Sequence, residues 1–335
     1  MTTLLALETS CDETALALVE SQGEKVTILD HVLYSQIDDH CQYGGVVPGL
    51  AARLHGKKLP QMLIDFLSHN QPHLDYIAVT SGPGLEPALH VGVNQARVLS
   101  TALHIPLLPV NHMHGHMFSS FLSNKRVPKE EEYPFLAITL SGGHTEFVLV
   151  QDYNQYHIVG QTIDDAVGEA FDKVGTMLGL GYPGGPAISR LAVNGDPEAI
   201  TFPRPMIGSG DGRMSFSGLK TAVKYYIQDH PPETEQEKAD IAASFEQAVI
   251  DVIIKKLTWI LDTYIIQSIR GGGGVWANPV LREVSDQFAR ERSLNLYLPS
   301  SEVATDNAQM IGYIAALDLY YGVNRELKVE GKKDL

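Results

Sequence analysis

Apolar residues in this chain fall into runs that repeat. Leu4–Val19 reads LLALETSCDETALALV, an apolar run, a small polar turn and a second apolar run. Phe135–Val150, FLAITLSGGHTEFVLV, aligns with it over sixteen residues without a gap. Leu5, Ala6, Ser10, Thr14, Leu18 and Val19 recur as Leu136, Ala137, Ser141, Thr145, Leu149 and Val150. Short apolar runs bounded by turn residues predict strands, so each copy predicts a β-hairpin with a polar tip. A third strand follows each hairpin, since HVLYSQIDD (His31–Asp39) matches HIVGQTIDD (His157–Asp165). Farther on, Asp75–Leu99 and Ser268–Ala289 each read as strand, glycine loop and helix. A duplication on this scale predicts two paired α/β domains.

The remaining pattern places the boundaries. NKRVPKEEEYP (Asn124–Pro134) is charged, contains proline and lacks apolar periodicity, as an interdomain connection should. The first domain is therefore expected over 1–127 and the second over 128–304, with a closing helix from near Asp306 and a charged tail from Asn324. The 305–335 segment is expected to pack back on the first domain. Asp196–Gly218 is rich in Pro, Gly and Ser and long enough to read as a functional flap. Thr234 and Glu237 form a capping-box pattern ahead of Ile241, Phe245, Val249, Val252, Ile253, Leu257 and Ile260, whose period is that of a long core helix.

The hairpin tips carry the first chemistry. One isolated glycine pair ordinarily serves a tight turn, but these tips come in matched pairs. Ser10, Ser141 and the main-chain N–H groups of Gly142, Gly143 and Gly271 to Gly274 are suited to wrapping oxyanions, because bare backbone admits a phosphate closely. A nucleotide cleft between two related domains is the resulting expectation. A Rossmann site fits worse, since Pro87 stands where a third glycine would follow Gly82 and Gly84.

Composition narrows the class. With 335 residues, 44% of them hydrophobic, the chain has enough apolar content for two cores. No stretch approaches the roughly 20 apolar residues of a membrane helix, and Glu8 arrives too early for a signal peptide, so the cytoplasm is expected. Cys11 and Cys41, the only cysteines, make no disulfide framework and no metal-type spacing. A net charge of −15 argues against autonomous binding to a polyanion. A nucleic-acid substrate would need a local basic patch or a partner protein.

After the apolar run Ile105–Val110 comes NHMHGH, which sets His112 and His116 four residues apart. On a helix they share a face, and with a remote carboxylate they would make a zinc or iron set with open positions. The same spacing also suits ordinary histidines. HExxH is absent, as is GxSxG, so the chemistry of a zincin or of a serine hydrolase is not written here. Asp306, in TDNAQM, is the best remote carboxylate, although its place at a helix start also suits an N-cap.

Taken together these residues are familiar. The chain resembles, over nearly its whole length, the tRNA N6-adenosine threonylcarbamoyltransferase (TsaD) family, formerly called glycoproteases. The resemblance is carried by LETSCDET (Leu7–Thr14), YGGVVP (Tyr43–Pro48), SGPGL (Ser81–Leu85), the His112/His116 pair, SGGHTE (Ser141–Glu146) and GEAFDK (Gly168–Lys173). GYPGGP (Gly181–Pro186), FPRPM (Phe202–Met206), SFSGLKT (Ser215–Thr221), the glycine loop ending at Asn278 and TDNA (Thr305–Ala308) complete it. It implies a fold of duplicated ribonuclease-H-like domains, that of the actin, heat-shock chaperone and sugar-kinase superfamily. It also implies metal ligation by His112, His116 and Asp306, with iron or zinc, and substrate binding by Ile138, Thr139, Leu140, Ser141, Gly142, Asp172, Gly185 and Asn278.

The implied reaction moves a threonylcarbamoyl group from threonylcarbamoyl-adenylate to the exocyclic amine of adenosine 37 in tRNAs that read codons beginning with A, releasing AMP. Its implied partners are tRNA, a paralogous TsaB-like pseudo-subunit, a small TsaE-like ATPase and an upstream adenylate-forming enzyme. Asp12 and Glu13 are candidates for accepting the amine proton, as is His144. Asp172 could instead pair with Lys173 or cap a helix, and Asn278 could cap the helix that follows it. A superfamily kinase or ATPase, or a non-catalytic nucleotide-binding subunit, are the competing readings. Asn111, His114 and Gly49 depart from the family pattern, as do Glu86-Pro87, and Trp276 with Pro279 could reshape the nucleotide pocket.

Overall fold

The computed structural model describes residues 1–331 of the protein; residues 332–335, the end of the expected C-terminal segment, lie outside the described residues. Two compact units emerge: Met1–Lys129 together with the chain from Pro299 onward, and Glu130–Leu298.

The first unit opens with β1 (Thr2–Glu8), β2 (Glu13–Gln22) and β3 (Lys25–Ser35), then α1 (Ile37–His40), α2 (Pro48–Asn70) and β4 (Tyr76–Gly82). It continues with α3 (Glu86–Leu103), β5 (Leu107–Asn111) and α4 (His112–Phe118). The second unit has β6 (Phe135–Leu140), β7 (Thr145–Asp152), β8 (Gln155–Thr162), α5 (Val167–Met177), α6 (Gly184–Ala192) and β9 (Arg213–Met214). It ends with α7 (Ser217–Asp229), α8 (Glu235–Thr263), β10 (Ser268–Gly272), α9 (Pro279–Glu291) and β11 (Asn295–Tyr297). The chain then returns to the first unit for α10 (Ser301–Ala304) and α11 (Ala308–Tyr321).

The sheets show the duplication directly. One runs β3-β2-β1-β4-β5 and the other β8-β7-β6-β10-β11, with β9 added beside β8. In each, an antiparallel three-strand meander is extended by two parallel strands. Leu5 pairs with Leu18 and its repeat Leu136 pairs with Leu149, so the register is retained as well.

The run Leu4–Leu7 shows no alternation because both faces of β1 are covered, as parallel strands in layered sheets require. Leu5 and Leu7 pack with Leu59, Leu63 and Phe66 of α2 and Val93 of α3. On the other face α11 lies so close that a Cβ on Gly312 would stand 2.4 Å from Val19. Among the described residues after α11, Leu327 and Val329 pack on the same core and Arg325 forms two hydrogen bonds with Asp318.

In the second unit α8 starts at the expected Thr234–Glu237 capping box and buries its apolar face. The Asp196–Gly218 stretch is stitched to this helix. Buried Lys256 donates to the carbonyls of Met206 and Asp211 and to Ser209, while Arg204 pairs with Asp251. Among the described residues no helix is long and apolar enough to cross a membrane.

Candidate functional site

Parallel strands β1, β4 and β5 end at one edge of the first sheet, the edge where ligands of α/β sheets bind. Asn111 turns the chain there from β5 into α4, its side-chain oxygen accepting the N–H of Met113 at 2.8 Å. That cap starts the helix so that His112 and His116 share its face, with ring centroids 4.6 Å apart.

Their Nε2 atoms stand 3.1 Å apart, and Asp306 Oδ1 lies 3.0 Å from His116 Nε2 and 3.3 Å from His112 Nε2. Around an ion held at about 2.0–2.1 Å, adjacent ligand atoms are about 3.0 Å apart at a right angle and about 3.4 Å apart at the tetrahedral angle. The triangle therefore has the size of one face of a coordination shell, and its donor set of two imidazoles and one carboxylate suits zinc or iron alike. His114, between the pair, is buried and takes no part in the triangle.

Asp306 reaches the histidines because α11 packs tightly on α4. A Cβ on Gly115 would sit 2.9 Å from Met310. The capping role left open for Asp306 belongs to Asn307, which accepts the N–H of Met310 at 2.9 Å. Asp306 thus lies just outside the helix with its carboxylate turned to the imidazoles.

Sequence reading missed Glu8. This fully buried carboxylate accepts from Ser10 N–H and Thr80 Oγ, each at 2.5 Å, and lies 3.2 Å from His112 Nδ1. From there it can accept a proton from Nδ1, which would turn Nε2 toward an ion, the role outer carboxylates play at histidine metal sites. The only sequence signal was a charged residue closing an otherwise apolar strand. With no ion bound, burial disfavours charge on His112, yet Asp306 and Glu8 outweigh it and raise its pKa well above the usual value, so an ion has to displace a proton from Nε2. Burial likewise opposes the Asp306 charge, and His112 and His116 reverse that to hold its pKa well below the carboxylate range.

The tip of the first hairpin borders this set. Asp12 is buried at the tip, and Glu13 opens β2 with Ser35 Oγ 3.3 Å from its Oε1. Burial, with the nearby charges of Asp12 and Asp306, pushes the Glu13 carboxyl well above its usual range. The Cys11 thiol is pushed up by burial and the same carboxylates.

The other candidates lie in the second unit. Ile138, Thr139 and Leu140 end β6, and Ser141 and Gly142 form its tip, where Ser141 Oγ accepts the N–H of His144 at 3.0 Å. Cβ atoms added to Gly142 or Gly143 would meet nothing within 4 Å, so bare backbone faces open space. The helix α5 begins against this tip: a Cβ on Gly168 would lie 2.6 Å from the Ser141 carbonyl oxygen. Asp172 accepts the N–H of Gly184 at 2.8 Å and so holds the start of α6, where Gly185 lies, while Lys173 pairs with Asp165 and Glu169. Asn278 caps α9 through Leu281 N–H and reaches Ser189 of α6 at 2.7 Å.

The glycine run that closes β10 and continues past it has packing reasons. Gly271 lies against Trp276 and Leu298, and Gly273, at φ 95°, lies against the Leu140 carbonyl. Trp276 is fully buried, filling core volume with its indole N–H donating to Ile138 O at 3.0 Å.

Comparison with known proteins adds the following. The profile of the TsaD family, tRNA N6-adenosine threonylcarbamoyltransferase, matches residues 27–313. A tRNA N6-adenosine threonylcarbamoyltransferase of Kosmotoga olearia is 45% identical over 93% of this chain and 92% of its own. One of Thermosipho africanus is 42% identical over 99% of both. Among solved structures, T. kodakarensis HypF matches with a TM-score of 0.64 at 14% identity, over 98% of this chain and 48% of its own. Component A of Acidaminococcus fermentans (R)-2-hydroxyglutaryl-CoA dehydratase matches with a TM-score of 0.52 at 10% identity, over 95% of this chain and 100% of its own. At such identities the likeness is one of fold, and the fold is that of duplicated ribonuclease-H-like domains.

Proposed function

The chain belongs to the tRNA N6-adenosine threonylcarbamoyltransferase family, and from that premise we propose how it works as a tRNA-modifying transferase. The donor is threonylcarbamoyl-adenylate, and the acceptor is the exocyclic amine of adenosine 37 in tRNAs that read codons beginning with A. The amine nitrogen bonds to the carbamoyl carbon, the bond from that carbon to the phosphate oxygen breaks, and AMP leaves. Such a donor is already activated, so the protein's task is to align two reactants and stabilise developing charge.

The observation that carries this reading is the triangle of His112 Nε2, His116 Nε2 and Asp306 Oδ1, with edges of 3.0 to 3.3 Å. These residues would hold iron or zinc, which when bound supplies Lewis acidity for oxygens that gain charge. Glu13, its affinity for protons raised by burial, takes the proton from the amine, with Asp12 beside it. Ile138 to Gly142, Asp172, Gly185 and Asn278 hold the adenylate, the open backbone at Gly142 admitting its phosphate.

A net charge of −15 fits a protein that meets tRNA with help. The helpers are a TsaB-like pseudo-subunit and a TsaE-like ATPase, with a separate enzyme forming the adenylate, all in the cytoplasm. The test is a reconstituted reaction with tRNA, threonine, bicarbonate, ATP and those proteins, read by nucleoside mass spectrometry. The protein is purified anaerobically and its metal measured by elemental analysis. His112→Ala, His116→Ala and Asp306→Ala each abolish modification. Unchanged modification by the histidine variants refutes the metal reading, and phosphoryl transfer from ATP to a sugar by the isolated chain selects a kinase instead.

A further inference from the structure

His40, Gln36 and His55 are fully buried and hydrogen-bonded in series, and the reaction above does not use them. Main-chain groups set the order of donors along the series. Val47 N–H donates to His40 Nδ1 at 3.2 Å, so His40 carries its proton on Nε2, 3.2 Å from Gln36 Oε1. Gln36 Nε2 lies 3.4 Å from the Ala51 carbonyl and 3.2 Å from His55 Nδ1, and the carbonyl fixes which end of the amide is nitrogen. His55 Nε2 lies 3.0 Å from the Cys11 carbonyl, which can only accept, so Nε2 bears the proton. The bare Nδ1 also accepts from Thr14 Oγ at 2.7 Å. Every donor in the series therefore points one way, from Val47 to Cys11. Apolar residues of the same shape would serve a plain scaffold as well.

The series ends at the tip that carries Asp12 and Glu13. Successive carbonyls there are tied back: Ser10 O takes Leu85 N–H at 2.7 Å, Cys11 O takes His55 Nε2–H, and Asp12 O takes Gln36 N–H at 3.0 Å. Of these ties, the one to Cys11 comes from a side chain, and a proton can break it. A second proton on His55, at Nδ1, would face the Gln36 N–H₂ group, and that amide cannot turn without meeting His40 Nε2–H. The titratable groups acting on His55 are Glu8 at the end of β1, Asp12 of the tip and His40 of α1. Burial lowers its pKa and His40 adds to that, against the pull of the Cys11 carbonyl, Glu8 and Asp12, so the neutral form is favoured.

We propose that His55, oriented through Gln36 and His40, is a positioning residue that holds the tip so that Glu13 is aimed, and does so only while its imidazole is neutral. The proposal rests on Glu13 as the proton acceptor and goes beyond that reading by naming what keeps its carboxyl in place.

Steady-state kinetics of the full-length, metal-loaded protein in the reconstituted reaction test it, with thermal unfolding to show that each variant is folded. His55→Leu should lower kcat about 100-fold, the scale for misplacing a reacting group by about 1 Å, while zinc affinity stays at the wild-type value. His55→Gln keeps the order of donor and acceptor without a titrating group, since its Nε2 can donate to Cys11 O and its Oε1 can accept. It should recover most of the lost kcat at neutral pH and give a shallower fall of kcat than the wild type below about pH 6.5, the ordinary histidine pKa. A role in stability alone would leave that profile unchanged. Wild-type kcat in a folded His55→Leu overturns the proposal, as does a His55→Gln profile as steep as the wild type's. If His55→Leu does not fold, the His55→Gln profile decides. Either refutation leaves Glu13 standing when Glu13→Gln is inactive, whereas full activity of Glu13→Gln overturns the Glu13 reading and this proposal with it.

Discussion

Replacing Glu8 with Gln separates a metal-orienting role from a purely structural one. Three donors converge on this buried carboxylate: Ser10 N–H on Oε1, and Thr80 Oγ and His112 Nδ1 on Oε2. An amide offers one acceptor oxygen. If it faces Ser10, the amide nitrogen faces His112, which must present a bare Nδ1 and move its proton to Nε2, the atom an ion needs. If it faces His112 instead, Ser10 N–H meets an N–H₂ group, and a buried unpaired donor costs about 1–3 kcal/mol. Either way the preferred imidazole tautomer is no longer free of cost. Loss of such an outer carboxylate weakens metal binding about 10- to 100-fold, equal to about 1.4–2.7 kcal/mol. Competition for zinc against a chromophoric chelator measures the affinity, and urea unfolding of the chelator-treated protein measures stability. A Glu8→Gln variant that loses stability but binds zinc as tightly as the wild type refutes the reasoning.

Three further outcomes follow from the same physics. His112 is raised above its usual pKa of about 6.5, so its contribution to the chelator-treated protein is complete below that pH and lost as pH rises through the folded value. Asp306 is depressed, so its contribution is present above about pH 3.9 and lost as pH falls through its folded value. The Tm of that protein should therefore fall from pH 6.5 upward while zinc affinity climbs, and parallel trends would contradict the pairing. Gly168→Ala places a methyl 2.6 Å from the Ser141 carbonyl. It should shift the tip, raise KM for the adenylate several-fold and destabilise by about 1–3 kcal/mol, read by steady-state kinetics and thermal unfolding. Lys256→Met removes the donors that hold Met206, Ser209 and Asp211, and thermolysin should then cut within 203–212 faster than in the wild type.

The duplication was legible because the paired sheets keep their apolar positions in step, down to the Leu5–Leu18 and Leu136–Leu149 pairs. The histidine pair was legible because helix geometry is local. Asp306 was ambiguous, since TDN offers several cap candidates and only the packing of α11 decides that Asn307 takes the role. Glu8 was nearly hidden, because apart from closing an apolar strand nothing local distinguishes a buried carboxylate from a solvated one. Trp276 was legible only as a bulky residue in a glycine loop, and packing is what puts its indole under β6 with the N–H on Ile138 O.

The third donor of the metal triangle is encoded 190 residues after the second. A ribosome making this protein therefore completes both sheets, from β1 through β11, before it reaches the residue that lets an ion settle. Any polypeptide released early, or clipped ahead of residue 306, keeps both imidazoles but lacks the anion that anchors their charge. An ion that needs all three donors would therefore be held only by chains whose synthesis has passed that point.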